Sequence, residues 1–82
     1  MASRAVVINF PEKVLLAAKT DEDSFAKELK VLAAVKLYER RRLSSGRAAE
    51  LAGMSRVEFL LELRRYRVFA FEAELSELES DA

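Results

Sequence analysis

The spacing of apolar residues changes period along the chain, and those changes mark the elements. Val6, Val7, Ile8 and Phe10 crowd the start with β-branched and aromatic side chains, so Ser3 to Phe10 reads as a short strand. Both faces of that strand are largely apolar, which predicts that it is covered or paired with another chain. Pro11 fits the first turn of a helix, where its missing N–H is harmless, and Glu12 to Lys19 continues it with Val14, Leu15 and Ala18 on one side. Thr20-Asp21-Glu22-Asp23 then has the form of a helix start, a Thr cap followed by acids that complement the helix dipole. The helix it opens runs from about Asp21 to Arg41. It carries two apolar stripes: Phe25, Leu29, Leu32, Ala33 and Leu37, and beside them Val31, Ala34, Val35 and Tyr38. One stripe suffices for a surface helix, so two predict burial on two sides, a monomer core on one and a dimer partner on the other.

Leu43 to Arg67 is the most informative stretch. Ser44 can cap a helix from Ser45 to Ala52, and Gly53 can take the left-handed conformation that stops it. Ser55 and Glu58 form a capping box for a second helix through about Arg65. Two short helices joined by Ala52-Gly53-Met54 make a helix-turn-helix. Ala48, Ala49 and Ala52 are small enough to let the helices approach, with Met54, Phe59 and Leu63 to fill the space between them. Arg67 to Phe71 alternates weakly and reads as a second short strand. Glu72 to Ser80 reads as an acidic amphipathic helix with Leu75 and Leu78 on its apolar face.

Charge sharpens this picture although the net charge is zero. Met1 to Val35 holds five basic and five acidic residues, Lys36 to Arg67 holds nine against four, and Val68 to Ala82 holds none against five. The middle is thus +5 and the end −5, which predicts different partners for different segments. The expected organisation is a dimerisation and helix-turn-helix domain over residues 1–67 and an acidic partner-binding segment over 68–82. The fold class is mainly α, with a short N-terminal strand, a long central helix, the helix-turn-helix, a short C-terminal strand and an acidic helix, assembled as a homodimer. A chain of 82 residues buries only roughly 60–65% of its unfolded surface, and with no cysteine for a disulfide or thiolate metal site, dimerisation is the remaining common remedy. No apolar run approaches membrane-spanning length and the N-terminus lacks the form of a secretory signal, so a cytoplasmic protein is expected.

The residues argue against an enzyme. There is no His, no Cys, no Gly-rich phosphate loop and no His/carboxylate cluster, so neither a cofactor, a metal nor a small-molecule substrate is expected. Arg40, Arg41 and Arg42 precede the helix-turn-helix and can contact phosphates. Arg47 extends the patch, as do Arg56, Arg64, Arg65 and Arg67. The plainer reading is that arginines at a helix C-terminus stabilise its dipole. In a DNA-binding version Ser55, Arg56 and Val57 would meet base edges. Leu60 and Leu61 follow on that face, and leucines suit packing better than base reading. Phe69, Phe71, Leu75 and Leu78 serve either as ordinary core or as anchors in a partner's groove.

Several segments together resemble a known family: Ile8-Asn9-Phe10-Pro11-Glu12, Lys36-Leu37-Tyr38-Glu39, and Leu43-Ser44 leading into Ala48-Ala49-Glu50-Leu51-Ala52-Gly53-Met54-Ser55 with Glu58-Phe59. The family is one of small, formerly uncharacterised prokaryotic proteins that look like antitoxins paired with nuclease toxins of the PIN-domain type. The resemblance implies operator binding through the helix-turn-helix and neutralisation of a cognate toxin. Similar proteins tend to carry a glycine in the turn before the Leu-Ser pair, where this chain has Arg41-Arg42. The rival reading is a protein-interaction module whose helix-turn-helix is architectural.

Overall fold

The computed structural model describes residues 3–69, which form four α-helices and a terminal 3₁₀ turn. Helix α1 spans Glu12–Ala18, α2 Glu22–Glu39, α3 Ser45–Ala52 and α4 Arg56–Glu62, and the 3₁₀ turn covers Leu63–Tyr66. The mainly helical class predicted from the periodicity is present.

Each start is set by a side chain where one is available. Asp21, in extended conformation, accepts from the Ser24 N–H at 2.7 Å. The cap of α2 is therefore Asp21 and not Thr20, a shift of one residue that places a carboxylate at the positive end of the dipole. Ser44 caps α3 by accepting from the Arg47 N–H. The capping box at α4 is complete: Ser55 Oγ accepts from the Glu58 N–H at 3.1 Å, and Glu58 Oε1 accepts from the Ser55 N–H at 3.3 Å. Pro11 sits just before α1, its carbonyl accepting from Val14.

The core is built from α2, α3 and α4, with α2 packed on α3 and α3 on α4. Ala34, Val35 and Tyr38 come from α2, Ala48 and Ala49 from α3, and Phe59 and Leu60 from α4, with Leu63 just beyond. The Tyr38 and Phe59 rings meet edge to face at 5.7 Å, a favoured geometry for the aromatic quadrupoles. Alanines at 48 and 49 let the helices approach closely enough for those rings to meet. Met54, Leu51, Leu43 and Val68 pack around the edge.

Two expectations are corrected. Ser3 to Phe10 contains no strand; the segment runs without regular structure, with Val6, Val7 and Ile8 exposed. Its β-branched residues favour extended backbone, but no described strand lies alongside to pair with it. Arg67, Val68 and Phe69 form no strand either. Val68 instead caps the 3₁₀ turn, its N–H donating to the Leu63 carbonyl at 3.1 Å, and Arg67 takes a positive φ of 56°. Phe71 and the expected acidic helix from Glu72 lie outside the described residues.

Candidate nucleic-acid interface

The candidate interface is the surface around the N-termini of α3 and α4, with the basic end of α2 leading into it. Arg40 closes α2 as its C-cap, and Arg41 follows in the left-handed conformation at φ 60°. There the Arg41 N–H donates to Tyr38 O and the Arg42 N–H to Leu37 O, the pair of bonds that defines a Schellman turn. Arg41 occupies the left-handed position of that turn, which glycine adopts with least strain. All three arginine side chains are exposed, and Arg40 and Arg42 form no ion pair with a described residue.

Arg47, in the first turn of α3, is exposed but occupied. Its Nη1 lies 3.0 Å from both carboxylate oxygens of Glu50. A pair this exposed contributes about 0–1 kcal/mol, so a phosphate can displace the glutamate cheaply.

Ser55 spends its hydroxyl oxygen as an acceptor in the capping box. Arg56 has a structural task, because its Nε donates to Ser45 Oγ at 2.9 Å. Ser45 is the buried polar residue of the core, 1% exposed. A buried hydroxyl without a partner would cost roughly 1–3 kcal/mol, so this bond also ties the start of α4 to the start of α3. The importance of Ser45 escaped the sequence reading; its only signal is a second serine directly after the capping Ser44, facing inward on a helix otherwise lined by alanines.

The two leucines of α4 part company. Leu60 is 5% exposed and belongs to the core, whereas Leu61 is 58% exposed and shares the outer face with Val57. Arg64, Arg65 and Arg67 are also exposed, with Arg65 paired to Glu62. Of the residues predicted for partner binding, Phe69 is 90% exposed; Phe71, Leu75 and Leu78 lie outside the described residues. No helix of the described residues is long and apolar enough to cross a membrane, and those residues contain no group of three metal-ligating side chains.

The uncharacterised protein family UPF0175 matches residues 1–82. A UPF0175 protein of Aeropyrum pernix is 47% identical over 55 residues, covering 67% of this chain and 70% of the relative. One of Archaeoglobus fulgidus is 43% identical over 60 residues, covering 73% of this chain and 68% of the relative. No solved structure gives a significant match.

Proposed function

The chain belongs to the UPF0175 family, and we propose that it is a DNA-binding antitoxin or small transcriptional regulator, not an enzyme, acting in the cytoplasm as a homodimer. The observation that carries this reading is a compact helix-turn-helix with exposed arginines at 40 and 42 beside it and further arginines at 64 and 67 beyond its second helix. In this reading Arg40, Arg41, Arg42 and Arg47 hold phosphates. Ser55 and Arg56 stand at the start of α4, where base edges would be met, Arg56 held in place by its bond to Ser45. The −5 segment from Val68 to Ala82 supplies the contacts to a cognate nuclease toxin, with Phe69, Phe71, Leu75 and Leu78 as its apolar anchors.

A gel shift on the DNA upstream of the protein's own coding sequence tests the reading. Retardation at low salt is expected, and Arg40→Ala, Arg41→Ala and Arg42→Ala together weaken binding to all sequences alike, whereas Arg56→Ala changes sequence preference, by about 1–3 kcal/mol at one base pair. No retardation at low salt rejects it.

One observation favours a second reading, that of a protein-interaction module with an architectural helix-turn-helix. The outer face of α4 presents Val57 and Leu61, with the exposed Glu58 beside them, where a base-reading helix usually presents hydrogen-bonding groups. Under this second reading Leu61→Asp abolishes capture of a protein partner and DNA is never retarded.

A further inference from the structure

None of residues 3–33 is buried, although this stretch includes all of α1 and most of the first stripe of α2. Within it the Phe10 and Phe25 rings meet edge to face at 5.2 Å, which holds the chain just before α1 against α2. Ahead of it, Val6, Val7 and Ile8 are 65–86% exposed. Residues 4–10 make no hydrogen bond to any described residue, so a run of β-branched side chains presents unpaired backbone donors and acceptors along its length. Val14, Leu16 and Leu32 add exposed apolar side chains on α1 and α2. Exposed apolar surface that extends over so much of a chain marks an interaction site.

Charge identifies the occupant. Residues 1–35 carry five positive and five negative charges, whereas residues 36–67 carry a net +5. Two copies meeting through their first halves bring neutral surfaces together and hold the two +5 regions apart. Meeting through the helix-turn-helix would press those positive regions against each other. A strongly charged foreign partner would gain nothing from the neutral half and would be drawn to the ends of opposite sign.

We propose that residues 5–9 pair antiparallel with the same residues of a second copy about a two-fold axis at Val7, forming a two-stranded ribbon that packs on the Phe25, Leu29, Leu32 and Ala33 face of α2 and leaves both helix-turn-helix units outermost. This rests on the reading of the chain as a homodimer and names the surface that makes it. In such a ribbon, one residue near the two-fold axis faces its own copy with Cα atoms about 4.5–5.5 Å apart, within disulfide range.

The chain has no cysteine, so single cysteines can be placed cleanly. Val6→Cys, Val7→Cys, Ile8→Cys and Asn9→Cys are oxidised in the full chain, with Leu61→Cys as the control on α4. Ile8→Pro, which removes a backbone donor, is followed by sedimentation and circular dichroism. The expected result is a wild-type dimer, a disulfide-linked dimer for Val7→Cys and none at 61, and dimer affinity at least tenfold weaker in Ile8→Pro with its helix content kept. A dimer that cross-links only at position 61, or is unmoved by Ile8→Pro, overturns the ribbon and leaves the homodimer standing. A wild-type monomer overturns both.

Discussion

Three basic residues adopt the left-handed conformation at helix ends: Lys19, Arg41 and Arg67, with φ between 55° and 60°. Their positive charges lie at the negative ends of helix dipoles, which offsets part of the strain that a side chain meets there. Gly53 fills the same role after α3 at φ 74° without strain. Arg41→Gly is therefore expected to stabilise the fold by about 0.5–1 kcal/mol in urea unfolding, the relief of strain exceeding the entropy gained by the unfolded chain. If Arg41 also holds phosphate, the same variant binds DNA less tightly, so stability and affinity move in opposite directions. Gly53→Ala should destabilise by about 1 kcal/mol or more, because alanine cannot take that φ freely. At the start of α2, the Ser24 N–H holds the Asp21 carboxyl below its ordinary pKa of 3.8. A depressed carboxylate contributes its stabilisation in full at neutral pH and loses it as pH falls from the ordinary value through the folded one. Melting curves between pH 6 and pH 2 should show an acid loss of α2 helicity that is smaller in Asp21→Asn, which keeps the acceptor but cannot titrate there.

The elements divide by how much of their stabilisation is local. Ser44, Ser55-Glu58 and Gly53 act within a few residues, and for that reason the helix-turn-helix is legible in the sequence. Leu60 and Leu61 were not separable in the same way, because adjacent residues at the edge of an apolar arc go to opposite sides only once α3 fixes the rotation of α4. The N-terminal strand failed for another reason: β-propensity acts through a neighbouring strand, and no described strand lies beside residues 3–10. The two stripes of α2 predict burial on two sides, but only Ala34, Val35 and Tyr38, all of the second stripe, are buried in the chain. Phe59, fully buried against Tyr38, is the test of the core. Phe59→Ala should cost about 3–5 kcal/mol, a large part of the roughly 5–15 kcal/mol available to a small domain. Thermal melting should accordingly show helix α4 lost with the rest of the core in one transition.

On the scale of the whole molecule, charge and packing agree on three regions. Residues 3–33 expose apolar surface and carry no net charge among 1–35, residues 34–68 hold the core within the basic region, and the segment beyond is acidic. Because Val68 packs on the core and its N–H donates to the Leu63 carbonyl, a cut after Arg67 removes part of the described fold, whereas a cut after Phe69 keeps Val68 in place. A chain ending at Phe69 has a net charge of +5 in place of zero. If the proposed function holds, this chain binds DNA more tightly than the full chain and no longer neutralises a nuclease toxin, and gel shift and toxin-inhibition assays on the two chains check it. The central claim, that the arginines flanking this helix-turn-helix hold nucleic acid, is tested most directly by fluorescence anisotropy of the full chain on its upstream DNA across a salt series. The account predicts a linear fall of log affinity with log salt and a slope that becomes shallower by about one for Arg42→Ala. An affinity indifferent to salt, or a slope that Arg42→Ala leaves unchanged, would contradict it.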